Sequence, residues 1–340
     1  MWPRMTRSAS ATLLLAALLF GAAPRPPAIA LLRSALSAPQ RVSYVGEVQV
    51  LRIGAERSDA AIYRIEHRAP NLTRRWYIAP QDLYGDSIIS RGATTYSIDV
   101  KREHVVVAQD DELDDQVAAN DNFNVLMSNY NAVYTPDEMF DGRHVHVVVL
   151  NNKYTGQTTM RVRIDAATRL VLERQQYAAN GSLIAQTRVE QLRYTNAIPT
   201  AIFELPRGLR RVNGTERAIP SSDIPHVISS AGFKALEPKY LPEGFVPVAG
   251  DVISIKSVPT LQLLYTDGIR TVSLFQNEKD AAVDLSRYRP SDTRIAGHSA
   301  QYVEDGPTTL LAWSDGIRHF ALVGELGLPE LEKIGASVLP

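Results

Sequence analysis

The run Thr159-Met160-Arg161-Val162-Arg163-Ile164 alternates polar and apolar residues with a period of two. A strand accommodates this, with Met160, Val162 and Ile164 on one face and Thr159, Arg161 and Arg163 on the other. A helix does not, because its apolar stripe needs a period near 3.6. Similar alternation fills residues 41–108. In RVSYVGEVQV, Val42, Tyr44, Val48 and Val50 share a face; in LTRRWYIA, Leu72, Trp76 and Ile78 do. Short turns bearing Gly or charge separate DSIIS, TTYSID and HVVVA, so the region reads as an antiparallel meander. Strands resume at HVHVVVL and continue through LVLERQQYA to SLIAQTRVEQLRYT, with Asn180-Gly181 as a hairpin signal.

The alternation breaks at Asp110, where DDELDDQ begins. Val117, Phe123, Leu126, Met127 and Tyr130 then follow at helical spacing. Residues 207–223 are basic, carry Gly and Pro, and have the composition of a linker. Beyond them, DIPHVISSAGFKAL reads as a short helix capped by Asp223. Two Asp-Gly hairpins follow and echo each other: Tyr265-Thr266-Asp267-Gly268-Ile269-Arg270 and Trp313-Ser314-Asp315-Gly316-Ile317-Arg318. LPELEKIGASV closes the chain as a helix with Pro329 at its start. A chain of 340 residues is expected to form two domains. The boundaries expected here are a leader at 1–30, an N-terminal domain at 31–207, a linker at 208–222 and a C-terminal domain at 223–340.

The leader has Arg4 and Arg7, an uncharged apolar run from Ala11 to Ala23, and Ala28-Ile29-Ala30 as a small-residue cleavage site. This is the anatomy of a secretory signal peptide cleaved near Ala30. The run is short for a permanent span, which takes about 20 apolar residues; an uncleaved anchor is the other reading. The mature chain is expected to be extracytoplasmic. It has no cysteine, so disulfides, thiolate metal sites, cysteine nucleophiles and lipidated cysteines are all excluded.

Thirty-six basic residues face 37 acidic ones, which leaves no general basic field for nucleic acid. No G-x-S-x-G, HExxH, P-loop or strand-linked G-x-G-x-x-G occurs. His144 and His146 share a strand face but have no evident third ligand, so no metal, cofactor or catalytic site is expected. What remains is apolar surface. Val48, Tyr63, Trp76, Ile78, Tyr96, Met160 and Val162 are assigned to inward faces of the sheet, with Leu126 and Met127 from the helix. A curled sheet either packs such residues as a core or leaves a cavity for an apolar ligand. The four arginines Arg207, Arg210, Arg211 and Arg217 either meet an acidic partner or lie on a solvated linker.

Three stretches resemble the MucB/RseB family of periplasmic sigma-factor regulators and the related LolA-type lipoprotein-carrier superfamily. SYVGEVQVLR with IYRIEHR is similar to the family's opening strand pair, including Gly46 and His67. MRVRIDAATRLVLERQQYAANGSLIAQTRVEQLRYTNAIPTAIFELP resembles the superfamily's closing strands, with Asp165, Gly181, Leu183, Phe203 and Pro206 at the motif positions. LPEGF and LQLLYTDGIRTVSLFQNE resemble the MucB/RseB C-terminal pattern, with Thr266 and Ile269 where the family often has Ser and Leu. The resemblance implies an α+β protein: an N-terminal curved antiparallel half-barrel wrapped on helices, and a smaller C-terminal α+β domain. It further implies a non-enzymatic regulator that binds a membrane-embedded anti-sigma factor and responds to lipid-type ligands. Partner contacts are then expected at the four linker arginines and at Tyr265 and Asp267. A periplasmic carrier of lipid or lipoprotein acyl chains is the alternative.

Overall fold

Two sheets, antiparallel but for one edge strand, divide the strands between them in this computed structural model, which describes residues 27–339 except 55–57, 93, 109–119, 214–220, 256, 279–282 and 284. The leader before Pro27, the acidic run Asp110–Asp115 and Arg217 lie outside the described residues.

The N-terminal sheet begins after helix α1 (Ala28–Leu36) with β1 (Tyr44–Ile53), β2 (Ser58–Arg68), β3 (Leu72–Ala79), β4 (Ser87–Arg91), β5 (Thr94–Asp99) and β6 (His104–Ala108). Helix α2 (Asn120–Asn129) leads directly into β7 (Tyr130–Phe140), then β8 (Arg143–Asn152), β9 (Thr158–Asp165), β10 (Val171–Tyr177) and β11 (Leu183–Tyr194). β11 returns to pair with β1, giving the order β6-β5-β4-β3-β2-β1-β11-β10-β9-β8-β7. The β7 strand was not expected from the sequence, and it takes Tyr130 out of the expected helix; Val117 lies outside the described residues.

The family-like positions have local physical roles. Gly46 sits where β1 bulges against β11; a Cβ there would lie 3.1 Å from a Val189 methyl and 3.2 Å from the Glu190 carbonyl. His67 is buried, its Nδ1 2.8 Å from the Thr73 hydroxyl and its Nε2 2.7 Å from the Pro39 carbonyl. Asp165 closes the β9–β10 turn by accepting the Ala167 and Thr168 amides at 2.9 and 2.8 Å.

The segment expected to be a linker adds a strand. β12 (Arg210–Asn213) lies parallel to β6 and becomes the twelfth strand and one edge of the sheet. Four residues, two of them arginine, are too few to show a strand period. Ser221 then bridges Gly250 through two backbone hydrogen bonds of 2.8 and 2.9 Å.

The C-terminal domain holds α3 (Ile224–Ser230), a seven-stranded antiparallel sheet and α4 (Leu328–Val338). Asp223 caps α3 as expected, accepting the His226 amide at 3.2 Å. The sheet comprises β13 (Val246–Ile255), β14 (Val258–Thr266), β15 (Thr271–Asn277), β16 (Ser291–Ile295), β17 (His298–Asp305), β18 (Thr308–Ser314) and β19 (His319–Gly324). α4 buries Leu331, Ile334, Gly335 and Val338, the spacing of one helical face, against this sheet. Trp313 stacks on Phe320 at 5.1 Å, and its indole edge would lie 3.2 Å from a Cβ at Gly335.

Candidate functional site

One face of the N-terminal sheet carries an apolar cavity of about 310 Å³. Its floor is a cross-strand row. Val50 pairs with Thr187, Thr187 with Arg174, Arg174 with Val162, and Val162 with Val148. Beside it, Val48 pairs with Val189 on one side and Tyr63 on the other. Pairing places these side chains on one surface because period-two strands turn alternate residues the same way. Two helices form the roof. α1 contributes Leu32, Ala35 and Leu36; α2 contributes Phe123 and Leu126. Arg33 and Phe123 tie the helices together, the guanidinium carbon lying 5.0 Å from the ring centre.

Five expected residues line this cavity: Val48, Tyr63, Leu126, Met160 and Val162. Met127 packs against the same cluster without lining the cavity, and its carbonyl accepts Lys153 Nζ at 2.7 Å. Three others do not belong to it. β2 and β3 slip by one residue between Ile62 and Tyr63, so Tyr63 pairs with Tyr77 and Ile65 with Arg75. This puts Arg75 in the cavity and turns Trp76 to the opposite surface, where it meets Arg64 at 5.9 Å and Tyr84 at 6.3 Å; Ile78 is the extra residue of the slip and does not line the cavity. Tyr96 packs on that opposite surface too, with Ile89, Ile98 and Phe203, and carries the Arg91 guanidinium at 5.7 Å.

Sequence reasoning missed the polar lining: Arg75, Glu173, Arg174 and Thr187. It also missed α1, whose Leu31, Leu32, Ala35 and Leu36 follow helical spacing behind the leader. A mostly apolar interior with two guanidinium groups in its wall, and a buried Glu173 carboxylate paired with Arg163, suits an amphiphile: hydrocarbon along the valines, an acidic or polar head at the guanidinium groups.

The second constellation is the joint between domains. The tip of the β14–β15 hairpin enters the N-terminal domain, where Ile269 is buried with Leu126, Tyr130 and Met160. The Tyr130 hydroxyl donates to the Asp267 carboxylate at 2.7 Å. Burial, and then the Asp267 charge, push the Tyr130 phenol well above its ordinary value. Asn129 Nδ2 donates to the carbonyls of Gly244 and Asp267 at 2.7 and 3.0 Å, while its Oδ1 accepts the Tyr154 hydroxyl at 3.0 Å. Gln176 Nε2 reaches Glu325 Oε2 at 3.0 Å nearby.

The expected partner residues are therefore dispersed. Asp267 is fully buried in the joint and Tyr265 in the C-terminal core, so neither faces outward. Arg207, Arg210 and Arg211 are exposed at the β12 edge. His146 meets Asp137 at 3.3 Å, and among the described residues no three His, Asp or Glu side chains cluster as metal ligands. No helix among the described residues is long and apolar enough to cross a membrane.

A large curved, unclosed sheet roofed by helices and joined to a second sheet through a buried hairpin tip defines a mostly-β architecture. Comparison with solved structures gives the particular fold. The chain is similar to MucB in complex with MucA(peri), at 17% identity over 92% of this chain and 98% of that one, with a TM-score of 0.62. It is similar to the MucA/MucB complex of Pseudomonas aeruginosa at 17% identity, 93% and 99% coverage and a TM-score of 0.63. For MucB alone the values are 17%, 91%, 96% and 0.52. The fold is thus MucB-like over nearly the whole chain, as the sequence resemblance implied. A family model described as a domain of unknown function, DUF4367, matches residues 235–338. No curated protein matches the sequence.

Proposed function

We propose that this chain is an exported binding regulator, without catalytic chemistry, that engages a membrane-embedded anti-sigma factor and takes an acyl chain into its N-terminal cavity. The observation that carries the reading is the match to MucB over nearly the whole of both chains, in structures that contain MucA. The leader sequence supports an extracytoplasmic location. The cavity supports the ligand class: about 310 Å³ is at the lower end of the ~300–1,000 Å³ typical of ligand pockets, which suits one hydrocarbon chain. A switch of this kind needs only a ligand that favours the unbound state of the regulator.

Crosslinking the exported protein in native membranes, followed by mass spectrometry, tests the proposal. The expected product is one single-pass membrane protein whose cytoplasmic part binds a sigma factor. A broad set of acylated lipoproteins instead would replace the regulator with a carrier.

A further inference from the structure

Helix α2 is a wall one residue thick between the cavity and the C-terminal domain. Phe123 and Leu126 line the cavity from one side. On the other side the hairpin tip lies against the helix backbone. A Cβ on Gly268 would fall 2.5 Å from the Leu126 Cα and 2.6 Å from its amide nitrogen. At the end of the same helix, a Cβ on Gly244 would fall 2.8 Å from the Asn129 side chain. Only glycine permits this approach, and it leaves α2 no space to retreat into.

We propose that the Asp267–Ile269 tip is a length-sensitive catch: chains that fit the cavity leave the domains locked, and longer chains expel the tip and free the C-terminal domain. This rests on the acyl-cavity reading above and adds the regulation to it. A short ligand leaves Phe123 and Leu126 in place. A longer one displaces them, and the Leu126 backbone moves only if Gly268 moves, because packed interiors do not compress. Docking and deep filling therefore exclude one another, and linkage requires each to weaken the other by the same factor.

The tip can leave without stranding a charge. Asp267 keeps Arg270 of its own hairpin at 2.8 and 2.9 Å, and the Ile269 and Arg270 amides at 2.9 and 2.7 Å. The twin hairpin shows this turn with its tip exposed and its Asp–Arg pair held within the turn. Asp315 accepts the Ile317 and Arg318 amides at 2.8 and 2.7 Å and the Arg318 guanidinium at 3.1 Å, with Ile317 66% exposed. The same turn chemistry thus serves a docked and an undocked tip.

The chain has no cysteine, so Ser182→Cys and Ser299→Cys, both at exposed positions, accept a donor and acceptor dye on the two domains. The probes are straight-chain saturated fatty acids from octanoate to stearate, with binding measured separately by calorimetry. The expected result is that octanoate and decanoate bind at constant energy transfer, while palmitate and stearate bind and lower it. Tyr130→Phe, which weakens the catch without lining the cavity, is expected to tighten stearate binding about fivefold or more and leave octanoate unchanged. Binding of every length at constant transfer would overturn the catch alone, as would equal opening by every length. Absence of binding at all lengths would overturn the acyl cavity and the catch together.

Discussion

The Tyr130 hydroxyl and the Asp267 carboxylate, 137 residues apart in sequence, meet at 2.7 Å and join the first residue of β7 to the tip of a C-terminal hairpin. The hydrogen bond is charge-assisted and buried, the kind that contributes most and costs most to break. Among the described residues, Asp315 makes the same turn with bonds only to its own hairpin.

That pair of hairpins provides an internal comparison. Asp267→Ala and Asp315→Ala each remove a turn carboxylate, but only the first leaves a buried phenol without its acceptor. Asp267→Ala is expected to destabilise the protein by about 2 kcal/mol more than Asp315→Ala in urea unfolding. Equal losses would mean that the joint contributes nothing.

The register slip in β2–β3 separates Trp76 from the cavity and gives a second test. Val162→Phe fills the cavity floor and is expected to weaken palmitate binding by at least about tenfold, roughly 1.4 kcal/mol. Trp76→Ala, on the opposite surface, is expected to leave binding unchanged. Calorimetric titration of both variants checks the assignment, and a large loss with Trp76→Ala would reverse it.

Glu138 on β7 accepts Arg163 Nε at 2.9 Å and is also paired with Arg161. Burial alone would raise its pKa, but the hydrogen bond and charge of Arg163, then those of Arg161, outweigh burial and hold the carboxyl below its ordinary value. A depressed carboxylate contributes stability above its unfolded pKa of about 4.3 and loses it as pH falls through the folded value. Glu138→Gln is therefore expected to flatten the acid limb of the stability profile below about pH 4. At neutral pH the cost is expected to stay within about 1 kcal/mol, since the side chain is roughly a third exposed. Unfolding at pH 7 and at about pH 3.5 measures both.

The N-terminal domain is expected to end at Asn213 and not at Arg207. A chain stopped at Arg207 loses β12 and leaves the β6 edge open to pairing between molecules. Light scattering of the two truncations is expected to show more association for the shorter one.

Much of this architecture was legible where local pattern decides it. Met160, Val162 and Ile164 are all buried, as their alternation required, and Asp223 caps its helix. The twin Asp-Gly sequences both form hairpins. What local pattern did not carry was the identity of the partner surface. The β2–β3 slip reverses the face of Trp76 and Arg75 through one irregular pair that no residue type announces. Helix α1 begins inside the expected cleavage motif, and its apolar residues Leu31, Leu32, Ala35 and Leu36 were assigned no element. Which twin hairpin docks is set by α2 more than a hundred residues earlier, and nothing within either six-residue sequence distinguishes a buried Ile269 from an exposed Ile317.

The strand found in place of a linker limits how far the two halves can travel. Asn213 is anchored beside Val107 and Ser221 beside Gly250, so seven residues, 214–220, lie between fixed points. Fully extended they reach roughly 25 Å at about 3.5 Å each. A C-terminal domain released from α2 thus remains on a short tether, at an effective concentration on the order of millimolar beside the site it has left. Any partner that takes that site competes against a neighbour that never diffuses away, so removal of the ligand restores the locked form at a rate independent of protein concentration.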